Sequence, residues 1–253
     1  AVSAVTQMVT RLAAGPAMRR WEDRTLVAAA ALSLAVSCGA LVVSAALVPF
    51  LVAEALQGAA RAFFWTGSQT HVVRGPGRAI GALAVMNFSA AAGALVGPVL
   101  AGFLSGDSPV VALGAAATLG LAAIGPVALM DRLPPFVPAW DRPAGRVWQR
   151  PGVAVGSSAG VTAGAWASLM TSYVPVLLAA AEQSPGAIGV GVAVANAASV
   201  LGAVLTGRLP RRWTVGAVLL GMLVTGAGLA AAAVTAAWPV LSTLALAVSG
   251  VGA

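Results

Sequence analysis

Long runs without charge alternate with short polar breaks along the whole chain, and this alternation predicts a series of membrane-crossing helices. Residues 1–14 are apolar but short for a full span, and a break, GPAMRRWEDR, follows at 15–24. From Thr25 to Val73 the only charges are Glu54 and Arg61. A span needs about 20 apolar residues, so this stretch suits two helices with a tight turn near Leu47–Phe50, at Pro49. After a break at 71–78 comes an uncharged run over about 79–104, then a turn SGDSP at 105–109 and a fifth run from Val110 to Met130. Asp131 to Arg150 is the longest break, and further spans are expected at about 152–181, 187–206, 214–236 and 239–253. The first and last runs read as cut, so the expectation is an all-α polytopic transmembrane bundle of about nine helices, truncated at both ends.

Composition places the chain firmly in this class. It is 59% hydrophobic and 8% charged, with a mean hydropathy of +0.94. A soluble domain carries about 25% charged residues. The net charge is +7, and all 14 basic side chains are arginine. In a soluble chain that balance would suggest nucleic acid. Here the arginines gather in alternate breaks, at 15–24, 74–78, 131–150 and 207–213, while the breaks between contribute only Asp107 and Glu182. Arginine-rich short loops mark the cytoplasmic side. A multi-pass protein of the cell's inner (plasma) membrane follows, with the lipid bilayer as its surroundings and no nucleic-acid partner. The 131–151 stretch, with Pro134, Pro135, Pro138 and Pro143, reads as a cytoplasmic linker between an N-terminal half at 1–130 and a C-terminal half at 152–253.

Candidate chemistry is sparse. The single cysteine, Cys38, lies in an apolar run and has no disulfide partner. His71 has no acidic neighbour in sequence, and there is no H-E-x-x-H. No catalytic, metal or cofactor set is expected, and an enzyme is the weaker reading. Charges inside a span usually face a bundle interior and act there. Glu54 and Arg61 are seven residues apart, so they share a helix face roughly 10 Å apart along the axis. Glu54 is a candidate proton-titrating or cation-contacting group, and Arg61 its partner or an anion contact. Gln57 shares the face of Glu54. Asn87, Asn196, and Trp166 with Tyr173 as an aromatic wall complete the candidate substrate or proton pathway. Trp21, Trp65, Trp213 and Trp238 read as interface anchors.

Two further patterns bear on architecture. The run at 81–104 carries Gly93, Gly97, Pro98 and Gly102, which would give one helix a thin, bendable face for close packing. The loops Gly15-Pro-Ala-Met-Arg19-Arg20-Trp21 and Gly207-Arg-Leu-Pro-Arg211-Arg212-Trp213 share the form G-x-x-x-R-R-W, six spans apart and in the same orientation. Parallel repeated halves would place them so.

These residues resemble the major facilitator superfamily of secondary transporters. The two G-x-x-x-R-R-W loops are similar to its loop motif after the second helix and its copy in the second half, with Arg19 and Arg211 where the family usually has aspartate. Gly93-x-x-x-Gly97-Pro98-x-x-Ala101-Gly102 resembles the fifth-helix motif associated with antiporters. Gln57-Gly58 resembles the fourth-helix motif, with Glu54 where an arginine is usual. The resemblance implies two pseudo-repeated halves and a monomer moving a small molecule, with protons, by alternating access. A proton-coupled efflux antiporter is the reading taken from it. A non-transporting membrane scaffold, or an inactive fragment of a transporter, is the alternative.

Overall fold

The computed structural model describes residues 2–44, 46–75, 79–137, 151–210 and 213–253. Every regular element among them is helical: α1 (Val2–Met18), α2 (Asp23–Val43), α3 (Leu47–Arg74), α4 (Ala79–Asp107), α5 (Pro109–Ala122), α6 (Ile124–Ala128), α7 (Pro151–Ser168), α8 (Val174–Ala180), α9 (Pro185–Gly207), α10 (Thr214–Val234) and α11 (Pro239–Gly252). A π-helical turn, Leu169–Tyr173, joins α7 to α8. With α5 and α6 as one rod, and α7 and α8 as another, nine rods are present among the described residues. Seven of the apolar stretches are long enough to cross a bilayer. The all-α membrane bundle expected from the hydrophobic pattern is what forms.

Details of the turns differ from the sequence expectation. The turn between α2 and α3 falls at 44–46, ahead of Pro49, which sits in the first turn of α3. A missing N–H is harmless there, because first-turn amides have no partner within the helix. α4 runs on through Gly106, and Ser108 caps α5 by accepting from the Val110 N–H at 3.3 Å. The rod of α5 and α6 breaks at Ala123. Pro126 has no N–H for the Ala122 carbonyl one turn earlier, which loosens the ladder at that point.

The chain forms two compact units, residues 1–87 with 108–142, and residues 88–107 with 143–253. Chain order alone places 88–107 in the first half, whereas in the structure this segment packs within the second unit. Its packing partner is α9, through small residues described below. The first unit is built on the α2–α3 hairpin, with α1 crossing α3 and α5 crossing α2. Small residues set both crossings. A Cβ at Gly58 would collide with the Ser3 carbonyl oxygen, and one at Gly120 would lie 3.1 Å from the Ala35 backbone nitrogen. The second unit has α11 between α9 and α10. Gly202, Gly221, Gly228, Gly250 and Gly252 permit backbone-to-backbone contact there. Its core joins Trp166, Met170, Val174 and Leu178 to Ala195, Ala232 and Leu246.

Large apolar side chains remain exposed along the rods, among them Leu12, Val43, Phe88, Phe103 and Leu223. In water such a surface would be an aggregation hazard; in a bilayer it meets lipid tails. Cys38 is buried and free, in keeping with a small packing residue.

Candidate functional site

Some of the polar residues of α3 lie along one stripe. Gln57, Arg61, Trp65 and Ser68 recur at intervals of three or four, with Phe64 beside them, so they share a helix face. That face lines a partly open cavity of about 750 Å³ within the first unit, flanked by α2 and the α5–α6 rod. Val27, Leu34, Leu119, Val127 and Met130 make those walls apolar. Among the described residues Arg61 is the only charged one lining the cavity; it is exposed on the cavity side of α3 and lies roughly 20 Å from either end of that helix. A charge at this depth costs about 2.5–3.5 kcal/mol on insertion scales, so it is tolerated where a polar cavity or a counter-charge receives it.

Glu54 is half-buried on α3, one turn from Gln57, and does not line the cavity. Among the described residues, Glu54 and Arg61 make no ion pair with each other, and neither has a hydrogen-bond partner. The expected Glu54–Arg61 pairing is therefore absent from this conformation. Two helical turns, about 10 Å, exceed the reach of a direct contact between these side chains as they stand. Gln57 and Arg61 are brought together; Glu54 stands apart from them.

The first unit also holds an ionic cluster that sequence reading did not single out. Asp23 opens α2, and its side chain is fully buried. Nη1 of Arg74, at the end of α3, donates to both of its carboxylate oxygens, at 3.1 and 3.0 Å. Nδ1 of His71 lies 4.0 Å from Asp23 Oδ2, one helical turn before Arg74. Arg74 also donates through Nη2 to the Pro134 carbonyl at 2.5 Å and lies 5.8 Å from the centre of the Phe136 ring. The Phe136 N–H in turn donates to the Met18 carbonyl at 2.8 Å. Arg74 thus ties the start of the long 131–150 segment to the arginine-bearing ends of α1, α2 and α3. His71, which has no acidic neighbour in sequence, has one in space.

In the second unit the glycine-bearing helix meets α9. A Cβ on Gly102 would lie 2.5 Å from the Pro185 carbonyl oxygen, and one on Gly189 would collide with the carbonyl of Pro98. Asn196 crosses the same seam, donating through Nδ2 to the Ala94 carbonyl at 3.0 Å and to Val192 of its own helix at 3.0 Å. Gly93 and Gly97 have open space where a side chain would stand. The close face is therefore made by Pro98 and Gly102, and Gly93 and Gly97 lie off it.

Trp166 and Tyr173 do not form one wall. Trp166 is buried, its indole N–H donating to Ser249 Oγ at 3.1 Å, while Tyr173 is 67% exposed. The intervening π turn adds a residue without adding a turn, which rotates the following helix by roughly 100°. Pro175 just beyond it withholds an N–H from the preceding turn. Trp166 also lines a second cavity, of about 630 Å³, with Thr162, Ser199 and Thr206. Asn87 is exposed on α4.

The repeated loops are only partly visible. Gly15 lies within α1 and Arg19 and Arg20 are exposed just after it, while Gly207 ends α9. Arg211 and Arg212 fall outside the described residues, as does most of the 131–151 linker. Among the described residues no cluster of three or more His, Cys, Asp or Glu is placed to hold a metal ion.

Comparison with known families matches residues 1–253 to the model of the Major Facilitator Superfamily. No curated protein matches the chain.

Proposed function

We propose that this chain, which belongs to the Major Facilitator Superfamily and is a membrane transporter, moves a small molecule by alternating access as a proton-coupled efflux antiporter. Proton coupling rests on one observation above the others. Glu54 is an ionisable side chain, half-buried within a membrane helix, and among the described residues it has no partner to hold it charged. Such a group can gain and lose a proton as its surroundings change between access states. Gln57 and Arg61 on the cavity wall would contact the cargo.

Alternating access requires helices that can slide without losing their packing. The contact of Pro98 and Gly102 with Pro185 and Gly189 supports such movement, because backbones in contact present no side-chain ridges to interlock. In this reading the protein is a monomer of the inner (plasma) membrane, with the arginine-bearing loops cytoplasmic and no catalytic role.

The test is protein-dependent counterflow in vesicles, using a panel of small amphipathic cations, anions and neutral molecules. Transport of at least one class, faster than in protein-free vesicles, is expected. No transport of any class would favour a non-transporting membrane scaffold.

A further inference from the structure

The cavity of the first unit has two chemically distinct parts. Gln57 and Arg61 supply one cationic, hydrogen-bonding spot, and Phe64 and Trp65 lie one turn further along the same helix. These two rings meet edge to face, with centroids 5.8 Å apart. Everything opposite is aliphatic. We propose that this cavity binds an amphipathic organic anion, a small aromatic or alkyl carboxylate or sulfonate, with Arg61 as its counter-charge. The inference deepens the transport reading and rests on it for treating the ligand as cargo.

Three observations converge on an anion rather than a cation or a neutral molecule. Among the described residues Arg61 is the only charge on the cavity wall, so the local potential is positive. Glu54 does not neutralise it, and no other described residue does. The cavity walls are of low polarity, which strengthens any charge pairing formed inside. A guanidinium offers two parallel N–H donors that fit a carboxylate or sulfonate, and Gln57 can add a third donor one turn away. The size also fits, since small-molecule sites are commonly 300–1,000 Å³ and mostly apolar with a few fixed polar groups. The apolar body of the ligand would lie against Phe64, Trp65 and Leu119.

The experiment titrates the purified chain, in phosphatidylcholine nanodiscs, with two fluorescent probes. Anilinonaphthalene sulfonate is the anion, and N-phenylnaphthylamine is its neutral counterpart. The anion should bind more tightly than the neutral dye. Arg61→Gln should weaken the anion roughly ten- to a hundredfold, the loss of a charge-assisted hydrogen bond, and leave the neutral dye unchanged. Arg61→Lys should restore part of the affinity. Gln57→Glu, which sets a negative charge one turn from Arg61, should weaken the anion similarly and guards against a misfolded Arg61→Gln. Equal affinity for the two dyes, or unchanged anion affinity in both Arg61→Gln and Gln57→Glu, would overturn the proposal. Transport of some other class with unchanged anion binding in these variants removes this inference alone. Arg61-dependent anion binding without any counterflow removes the transport reading alone.

Discussion

Asp23 and Arg74 are 51 residues apart in sequence and share two hydrogen bonds, at 3.1 and 3.0 Å, where the open ends of α2 and α3 meet. The pair is asymmetric. The Asp23 side chain is fully buried, whereas 21% of the Arg74 side chain is exposed. Removing the arginine strands a buried carboxylate; removing the aspartate leaves a cation that can turn toward water.

Arg74→Gln should therefore destabilise more than Asp23→Asn, by about 2 kcal/mol against about 1 kcal/mol, between the ranges for exposed and buried pairs. The double variant should lose less than the sum, because the pair is broken only once. Unfolding of the four proteins in one detergent checks this. Additive losses would show that the pair contributes nothing beyond its separate side chains.

The glycines of α4 divide into two groups. Gly93→Ala and Gly97→Ala add a methyl into open space and should be neutral or stabilising by a few tenths of a kcal/mol, as replacing a helical glycine generally is. Gly102→Ala and Gly189→Ala push against the carbonyls of Pro185 and Pro98 and should cost about 1–3 kcal/mol through overpacking. Thermal melts of the four variants separate these groups. Equal effects at all four positions would contradict the seam as described.

Glu182 has φ of 63°, a left-handed backbone conformation, in the turn after α8. Among non-glycine residues this conformation carries a penalty of roughly 1–2 kcal/mol. Glu182→Gly should raise the melting temperature, with a net gain of about 0.5 kcal/mol after the greater freedom of glycine in the unfolded chain is subtracted. A lowered melting temperature would mean the carboxylate stabilises the turn in some further way. The neighbouring Gln183 holds that turn in place, donating to the Ala236 carbonyl at 2.6 Å and to Ser242 at 3.0 Å.

The bundle was legible in the sequence because membrane helices are set by local composition. Uncharged runs and arginine-bearing breaks are read directly along the chain, and they place the rods within a few residues of their observed ends. Interruptions inside rods were not legible. Pro126 and Pro175 sit in runs that remain uncharged, and hydropathy registers neither the break at Ala123 nor the π turn at Leu169–Tyr173. That turn alone separates Trp166 from Tyr173, which an unbroken helix would have placed on one face.

The site was legible only where it lay on a single helix. Gln57 and Arg61 share a face by spacing, and the cavity follows it; Trp65, expected as an interface anchor, and Ser68, which was not singled out, line the same wall. The Asp23–Arg74–His71 cluster depends on hairpin register, which composition does not reveal. Asn196 reaches the Ala94 carbonyl across a seam whose partner helix could not be read from spacing. The glycine motif showed that α4 would pack closely, but not which of its glycines would meet another backbone.

The most direct test of proton-coupled transport compares the native chain with Glu54→Gln in vesicles carrying an imposed pH gradient, using whichever amphiphile shows counterflow. In the native chain the gradient should drive accumulation of that amphiphile, and its movement should dissipate the gradient. Glu54→Gln should lose gradient-driven accumulation roughly ten- to a hundredfold while keeping counterflow, since the neutral amide carries cargo without a proton. Gradient-driven accumulation unchanged in Glu54→Gln would contradict the account.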